Sequence, residues 1–190
     1  MRVPEGSLAG LRRTVARLCL ELHRRGLTAG GSGNVSACRE GRVAVSPSGF
    51  RLADVRPRHV TVVDAGSGER LVGTREPTSE LPMHLSVYEK VGDGVVLHFH
   101  SPWVTEAAHA LRKVRVTEGL RRSVGSVEWI EYHPPGSEEL ARAVGRVARK
   151  PMAAVLERHG GLVVGENPME ALSLAEALEE AARLSVRLRP

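Results

Sequence analysis

Apolar positions recur three and four residues apart over residues 8–25, where Leu11, Val15, Leu18 and Leu22 share one helical face. Ser7 precedes this stretch as an N-cap and Gly26 follows it as a stop, so the pattern predicts a helix from Leu8 to Arg25. Gly30-Gly31-Ser32-Gly33-Asn34 is too rich in glycine for helix or regular strand. Beyond it the apolar runs shorten to strand length and turn residues separate them. Residues 35–38 and 43–46 read as a hairpin about Glu40-Gly41, and residues 59–63 and 70–72 as another about Ala65-Gly66-Ser67-Gly68. A second helix is predicted from Glu80 to Val91, with Met83, Val87 and Val91 on one face, then a strand from Val95 to His100 and a helix from Pro102 to Leu111. Residues 127–131 read as a strand, 137–149 as a capped helix, and 153–157 and 162–164 as strands flanking Arg158-His159-Gly160-Gly161. Pro168 opens a last helix to Leu188, and residues 115–125 follow neither period. Hairpins outnumber strand–helix–strand units, which predicts an α/β fold of three layers: a central, mainly antiparallel or mixed sheet with helices on both faces. The 190 residues suit one domain, 1–190, with neither internal repeat nor linker.

Aromatic residues make up only 3% of the chain, so the core has to be built from Leu, Val and Ala. No apolar stretch approaches the roughly 18 residues of a membrane span, and Met1–Gly6 lacks an apolar leader core, which together predict a cytoplasmic protein without a membrane partner. Cys19 and Cys38 read as small buried hydrophobes in a reducing compartment. A net charge of +5 and a pI near 9.9 would suit an anionic partner. Arginine and glutamate are interspersed, however, as in Glu138-Glu139 followed by Arg142, Arg146 and Arg149, with no basic tail or aromatic platform, so nucleic acid is not expected. The only lysines, Lys90, Lys113 and Lys150, lie among charged or polar neighbours, whereas a Schiff-base mechanism needs a desolvated lysine.

The chemistry concentrates in histidines. His98 and His100 alternate within an apolar strand and therefore point the same way, giving half of a metal site. His159, between two short apolar strands, offers a third nitrogen, and Glu80, opening a helix, offers a carboxylate that serves as a general base or a displaceable ligand. Three protein nitrogens with one open position form the pattern of a catalytic zinc. His23, His59, His84, His109 and His133 stand in charged or helical contexts and read as structural or solvent-facing, His84 least clearly because it lies near Glu80. Three short polar segments suit an anion: Gly33-Asn34, Ser48-Gly49, and Thr78-Ser79 at the start of the Glu80 helix. The glycine patterns of dinucleotide and nucleoside-triphosphate loops are absent, which points to a small phosphorylated ligand.

Five ordered motifs carry a resemblance over nearly the whole chain: Gly33-Asn34-Val35-Ser36, Ser46-Pro47-Ser48-Gly49, Thr78-Ser79-Glu80-Leu81-Pro82-Met83-His84, His98-Phe99-His100-Ser101-Pro102 and Arg158-His159-Gly160. With them the chain resembles the class II aldolase/adducin family, nearest to its members acting on L-fuculose 1-phosphate. The resemblance implies one zinc per subunit held by His98, His100, His159 and Glu80, with Glu80 as catalytic acid/base, and a phosphate pocket of Gly33, Asn34, Ser48, Gly49, Thr78 and Ser79. It implies a homotetramer with sites at subunit interfaces, and cleavage of a ketose 1-phosphate to dihydroxyacetone phosphate and an aldehyde through a metal-stabilised enediolate. Within the same family, a methylthioribulose-1-phosphate dehydratase, a ribulose-phosphate 4-epimerase and a non-enzymatic, adducin-like interaction module are the alternatives. Epimerases commonly carry aspartate where Glu80 stands, and the interaction modules tend to lose the histidines. The chain departs from the family in having no tyrosine in residues 115–125, where a protonating one is expected; only Tyr88 and Tyr132 exist, and Arg158 replaces a common histidine.

Overall fold

A computed structural model of the chain describes residues 7–28 and 30–188; Met1–Gly6, read above for a leader, and Pro190 lie outside them. The first helix, α1 (Leu8–Arg24), begins where the Ser7 hydroxyl accepts the Gly10 N–H at 3.1 Å, and ends before Gly26 at φ +69°. Four strands follow, β1 (Asn34–Arg39), β2 (Arg42–Val45), β3 (Thr61–Asp64) and β4 (Arg70–Val72), then helix α2 (Leu81–Val91) and strand β5 (Gly94–Phe99). The remainder is α3 (Pro102–Ala110), α4 (Glu118–Val124), β6 (Val127–Ile130), α5 (Glu138–Val147), β7 (Met152–Leu156), β8 (Gly160–Gly165) and α6 (Pro168–Arg187).

The strands form one eight-stranded sheet in the order β4-β3-β2-β1-β5-β8-β7-β6. Every neighbouring pair is antiparallel except β6 with β7, which α5 connects as a crossover, so the sheet is mixed as expected. Val35, Ala37, Val95, Leu97, Phe99, Val155 and Val163 turn to a layer made by α1, α3, α4 and α6. Cys38, Val43, Val96, Ala154, Leu162 and Val164 turn to the layer of α2 and α5. Burial on both faces explains why these strands read as nearly continuous apolar runs.

Three local differences from the sequence reading have physical causes. Residues 115–125 contain α4, capped by the Thr117 hydroxyl on the Leu120 N–H at 3.3 Å; two turns are too short to show a period. Strand β5 stops at Phe99 because Ser101 and Pro102 start α3, so His100 leaves the ladder after the Asn34–His98 and Phe99–Gly161 pairs. Strand β8 begins at Gly160, since two residues without side chains let Phe99 and His100 pack directly on the backbone there.

Candidate metal centre

His98 lies two residues beyond Val96 on the face of β5 that looks toward α2. Its Nδ1 is 2.9 Å from the Gly161 carbonyl oxygen. A carbonyl only accepts, so Nδ1 carries a proton and Nε2 is the ring atom that faces the site. His98 Nε2 faces His100 Nε2, 2.9 Å away, and Glu80 Oε2, 3.1 Å away. His159 closes the group: its Nε2 is 3.5 Å from Glu80 Oε1, and the three rings stand edge to face with centroids 4.6, 4.7 and 5.0 Å apart. The ligand nitrogens of His98, His100 and His159 all fall within 4.8 Å of one another.

Each side chain is delivered by a different device. His159 follows Arg158, which takes φ +56° to turn the β7–β8 hairpin, and the Arg158 N–H is held by the Ala108 carbonyl at 2.9 Å. Gly160 sits under His100, where a Cβ would lie 2.7 Å from the Phe99 oxygen and 3.0 Å from His100 Cδ2. Glu80 is the N-cap residue of α2, but its side chain makes no capping bond and is buried inward, so it does not act as the exposed first-turn acid that its position allows. Its N–H is held by the Thr78 hydroxyl at 3.3 Å.

The electrostatics suit a cation. Burial drives the imidazole pKa values down, His100 to about 3 and His159 to about 4, so both rings stay neutral donors. Burial pulls the Glu80 carboxyl upward, but the adjoining His98 imidazole and the Asn34 amide, which donates to Oε2 at 2.8 Å, hold it well below its ordinary range. Glu80 Oε2 and His98 Nε2 face each other in a buried site, while Glu80 Oε1 and His159 Nδ1 have no hydrogen-bond partner. A divalent ion answers this arrangement: it accepts lone pairs from the imidazoles and neutralises the carboxylate.

The three anion-suited segments lie side by side next to Glu80. The Thr78 N–H donates to the Ser46 carbonyl at 3.0 Å, the Ser48 N–H to the Glu76 carbonyl at 2.9 Å, and the Val35 N–H to the Ser46 hydroxyl at 3.1 Å. Ser48, Gly49 and Ser79 are exposed there and Thr78 is buried. Gly33, at φ +87°, brings its backbone so close to β5 that a Cβ would meet the His98 oxygen at 2.8 Å. Asn34 is the exception, because its amide is turned inward: Nδ2 donates to Glu80 Oε2 at 2.8 Å and Oδ1 meets His84 Nε2 at 2.6 Å.

His84 is the residue that the sequence reading left as structural or solvent-facing. It is fully buried, and its other nitrogen lies 2.6 Å from the Ser36 hydroxyl. The signal for it is its spacing, four residues from Glu80 on one helical face and opposite the alternating Asn34 and Ser36. Tyr88 is buried and bonded to Ser36 at 2.7 Å, and Tyr132 is half-exposed with the Arg158 guanidinium 5.6 Å from its ring centre. Lys150 is tied to the Asp93 carbonyl at 2.5 Å and to Glu166 at 3.0 Å, beside the start of β5 and roughly 13 Å of strand from His98.

The Class II Aldolase and Adducin N-terminal domain matches residues 13–186. An L-fuculose phosphate aldolase from Methanococcus maripaludis is 31% identical over 171 residues, covering 89% of this chain and 92% of the relative. A 3-oxo-tetronate 4-phosphate decarboxylase from Haemophilus influenzae is 29% identical over 184 residues, covering 92% and 86%. The crystal structure of YgbL from Escherichia coli superposes with a TM-score of 0.85 at 29% identity, over 96% of this chain and 92% of that one. Fold, metal-suited histidines and sequence therefore agree: the chain belongs to the class II aldolase and adducin family, and it is an enzyme, a metal-dependent lyase.

Proposed function

We propose that the chain is a zinc-dependent aldolase that cleaves a ketose 1-phosphate of the L-fuculose 1-phosphate type to dihydroxyacetone phosphate and an aldehyde. The convergence of three imidazoles and one carboxylate from three separate stretches of the chain, the end of β5, the β7–β8 turn and the start of α2, carries this reading. Zinc at His98, His100 and His159, one ion per subunit, supplies an electron sink for the charge left at C3 when the C3–C4 bond breaks. Glu80, as a further ligand or as the neighbouring base, holds and returns the proton at C3. Gly33, Asn34, Ser48, Gly49, Thr78 and Ser79 form the phosphate pocket in this reading, with the hydroxyls of Ser48, Thr78 and Ser79 as donors, since the N–H groups of Ser48 and Thr78 are already given to the Glu76 and Ser46 carbonyls; the grouping of these segments beside Glu80 supports it. Free, buried Cys19 and Cys38 fit a reducing cytoplasm, and among the described residues no helix is long and apolar enough to cross a membrane. The active assembly in this reading is a homotetramer.

The Haemophilus influenzae relative favours a second reading, loss of carbon dioxide from a 3-oxo acid phosphate. That reaction leaves the same kind of carbanion beside a carbonyl, yet needs no proton taken from a hydroxyl at the departing end. It suits a chain whose Tyr88 is buried against Ser36 and unavailable there. The test is release of dihydroxyacetone phosphate from a panel of ketose 1-phosphates, run beside carbon dioxide release from 3-oxo-tetronate 4-phosphate, each with and without chelator. Chelator-sensitive cleavage of a ketose 1-phosphate to dihydroxyacetone phosphate supports the aldolase; carbon dioxide from the 3-oxo acid, with no ketose 1-phosphate cleaved, replaces it with the decarboxylase.

A further inference from the structure

Behind the metal centre a row of polar side chains runs between α2 and β1, in a layer otherwise packed with Val, Leu and Met. Glu80, His84 and Tyr88 come from the helix at steps of four, and Asn34 and Ser36 from the strand at a step of two. Four helical residues advance about 6.0 Å and two strand residues about 6.6 Å, so the two sets interdigitate. The contacts alternate accordingly: Glu80 Oε2 to Asn34 at 2.8 Å, Asn34 to His84 at 2.6 Å, His84 to Ser36 at 2.6 Å and Ser36 to Tyr88 at 2.7 Å.

The carboxylate dictates every hydrogen in this row. An ionised carboxylate only accepts, so Asn34 must present its NH2 to Glu80 and its oxygen to His84. His84 Nε2 must then carry a proton to donate to that oxygen. The ring is fully buried between the Asn34 amide oxygen and the Ser36 hydroxyl, with no carboxylate among the described residues against either nitrogen to hold a second proton, which leaves the lone pair on Nδ1. The Ser36 hydroxyl must donate to that lone pair, and its oxygen is left to accept from the Tyr88 hydroxyl. All donors point one way, toward Glu80, and such aligned chains strengthen each link.

We propose that His84 is a positioning residue for Glu80: backed by Ser36 and Tyr88, it locks the Asn34 amide so that Glu80 Oε2 is held in place, while Oε1, which has no hydrogen-bond partner, is left as the oxygen that exchanges protons. The proposal deepens the lyase reading above and rests on it for the role of Glu80. Without His84, Asn34 can turn its oxygen toward the carboxylate, and the base loses both its charge-assisted bond and its fixed geometry.

The test compares zinc-loaded wild type with His84→Leu and His84→Gln. Leucine removes the donor, and kcat is expected to fall roughly 10- to 100-fold, with KM within about twofold and zinc content unchanged. Glutamine keeps an N–H near Nε2 and is expected to restore kcat to within about threefold of wild type. Leucine at wild-type rate, or glutamine as impaired as leucine, overturns the proposal. Nitrogen-15 spectra of histidine-labelled wild type give a readout independent of turnover and of how the variants fold. The resonance assigned to His84 is expected to be the neutral Nε2–H tautomer across neutral pH. An Nδ1–H tautomer or a cationic ring refutes the proposed lock on Asn34. Should wild type release neither dihydroxyacetone phosphate nor carbon dioxide, the lyase substrate reading fails, and the tautomer alone still decides whether His84 holds Asn34.

Discussion

Gly160→Ala tests whether the metal centre depends on backbone packing as well as on its ligands. The Cβ of alanine would lie 2.7 Å from the Phe99 carbonyl oxygen and 3.0 Å from His100 Cδ2, the former about 0.7 Å inside ordinary contact. Neither neighbour yields easily. Phe99 O belongs to the backbone of a strand paired on both sides, and the His100 ring packs against His98 and His159. Relief has to come from moving His100 or the loop that carries His159 by several tenths of an ångström, whereas metal–ligand distances tolerate about 0.2 Å. Overpacking of this kind costs roughly 1–3 kcal/mol, and if it falls on the bound state it weakens zinc by about 5- to 150-fold. Competition titration against a chromophoric chelator reads the affinity, and thermal unfolding with and without zinc shows where the cost falls. Gly119→Ala is the control, because nothing lies within 4 Å of its added methyl, and in α4 it is expected to stabilise by about 0.5–1 kcal/mol. Wild-type zinc affinity in Gly160→Ala would refute the steric reasoning.

Further predictions follow from the same geometry. Glu80→Gln keeps an oxygen for the Asn34 amide but loses the proton acceptor, so turnover should fall about 10²- to 10⁴-fold while zinc stays bound by three histidines; a wild-type cleavage rate would remove Glu80 from the chemistry. His100→Ala removes a direct ligand and should weaken zinc by more than the roughly 10- to 100-fold that loss of an outer-shell partner costs; full occupancy by elemental analysis contradicts this. In the metal-free protein His84 and His100 titrate at about 3 and His159 at about 4, against about 6.5 when unfolded. Between those values the unfolded chain binds more protons, so stability rises with pH through that window and is lost as pH falls below about 6.5, by about 1.4 kcal/mol per unit for each ring. The lowered carboxyl of Glu80 adds loss in the same direction at the acid end. Denaturant titrations from pH 7 to pH 4 should show this slope, and it should shrink in His84→Gln; a flat profile would mean that these rings are not buried neutral.

The parts of this molecule that were legible in its sequence are those that a periodicity writes directly. The two-residue step of His98 and His100 placed both rings on one face, and the structure puts their Nε2 atoms 2.9 Å apart. The two hairpins, the α1 cap at Ser7 and the three-layer arrangement follow from equally local rules. Helix α4 was not legible because its seven residues make too few turns, and the two glycines of β8 read as a turn because their reason for being there, the bulk of Phe99 and His100, is 60 residues away in the chain. His84 is a different case. Alone it carries no signal, and four residues after a glutamate it reads as another polar position on a helix. Its role becomes visible only when two periods are superposed, Glu80-His84-Tyr88 at four and Asn34-Ser36 at two, since their rises of about 6.0 and 6.6 Å are close enough to interlock over that length and no further. A polar strand residue that alternates with apolar ones in a sheet buried on both faces needs a polar partner across the layer. That requirement ties Asn34 to the helix that carries Glu80, and it explains why Asn34, suited by sequence to bind an anion, turns its amide inward to the base.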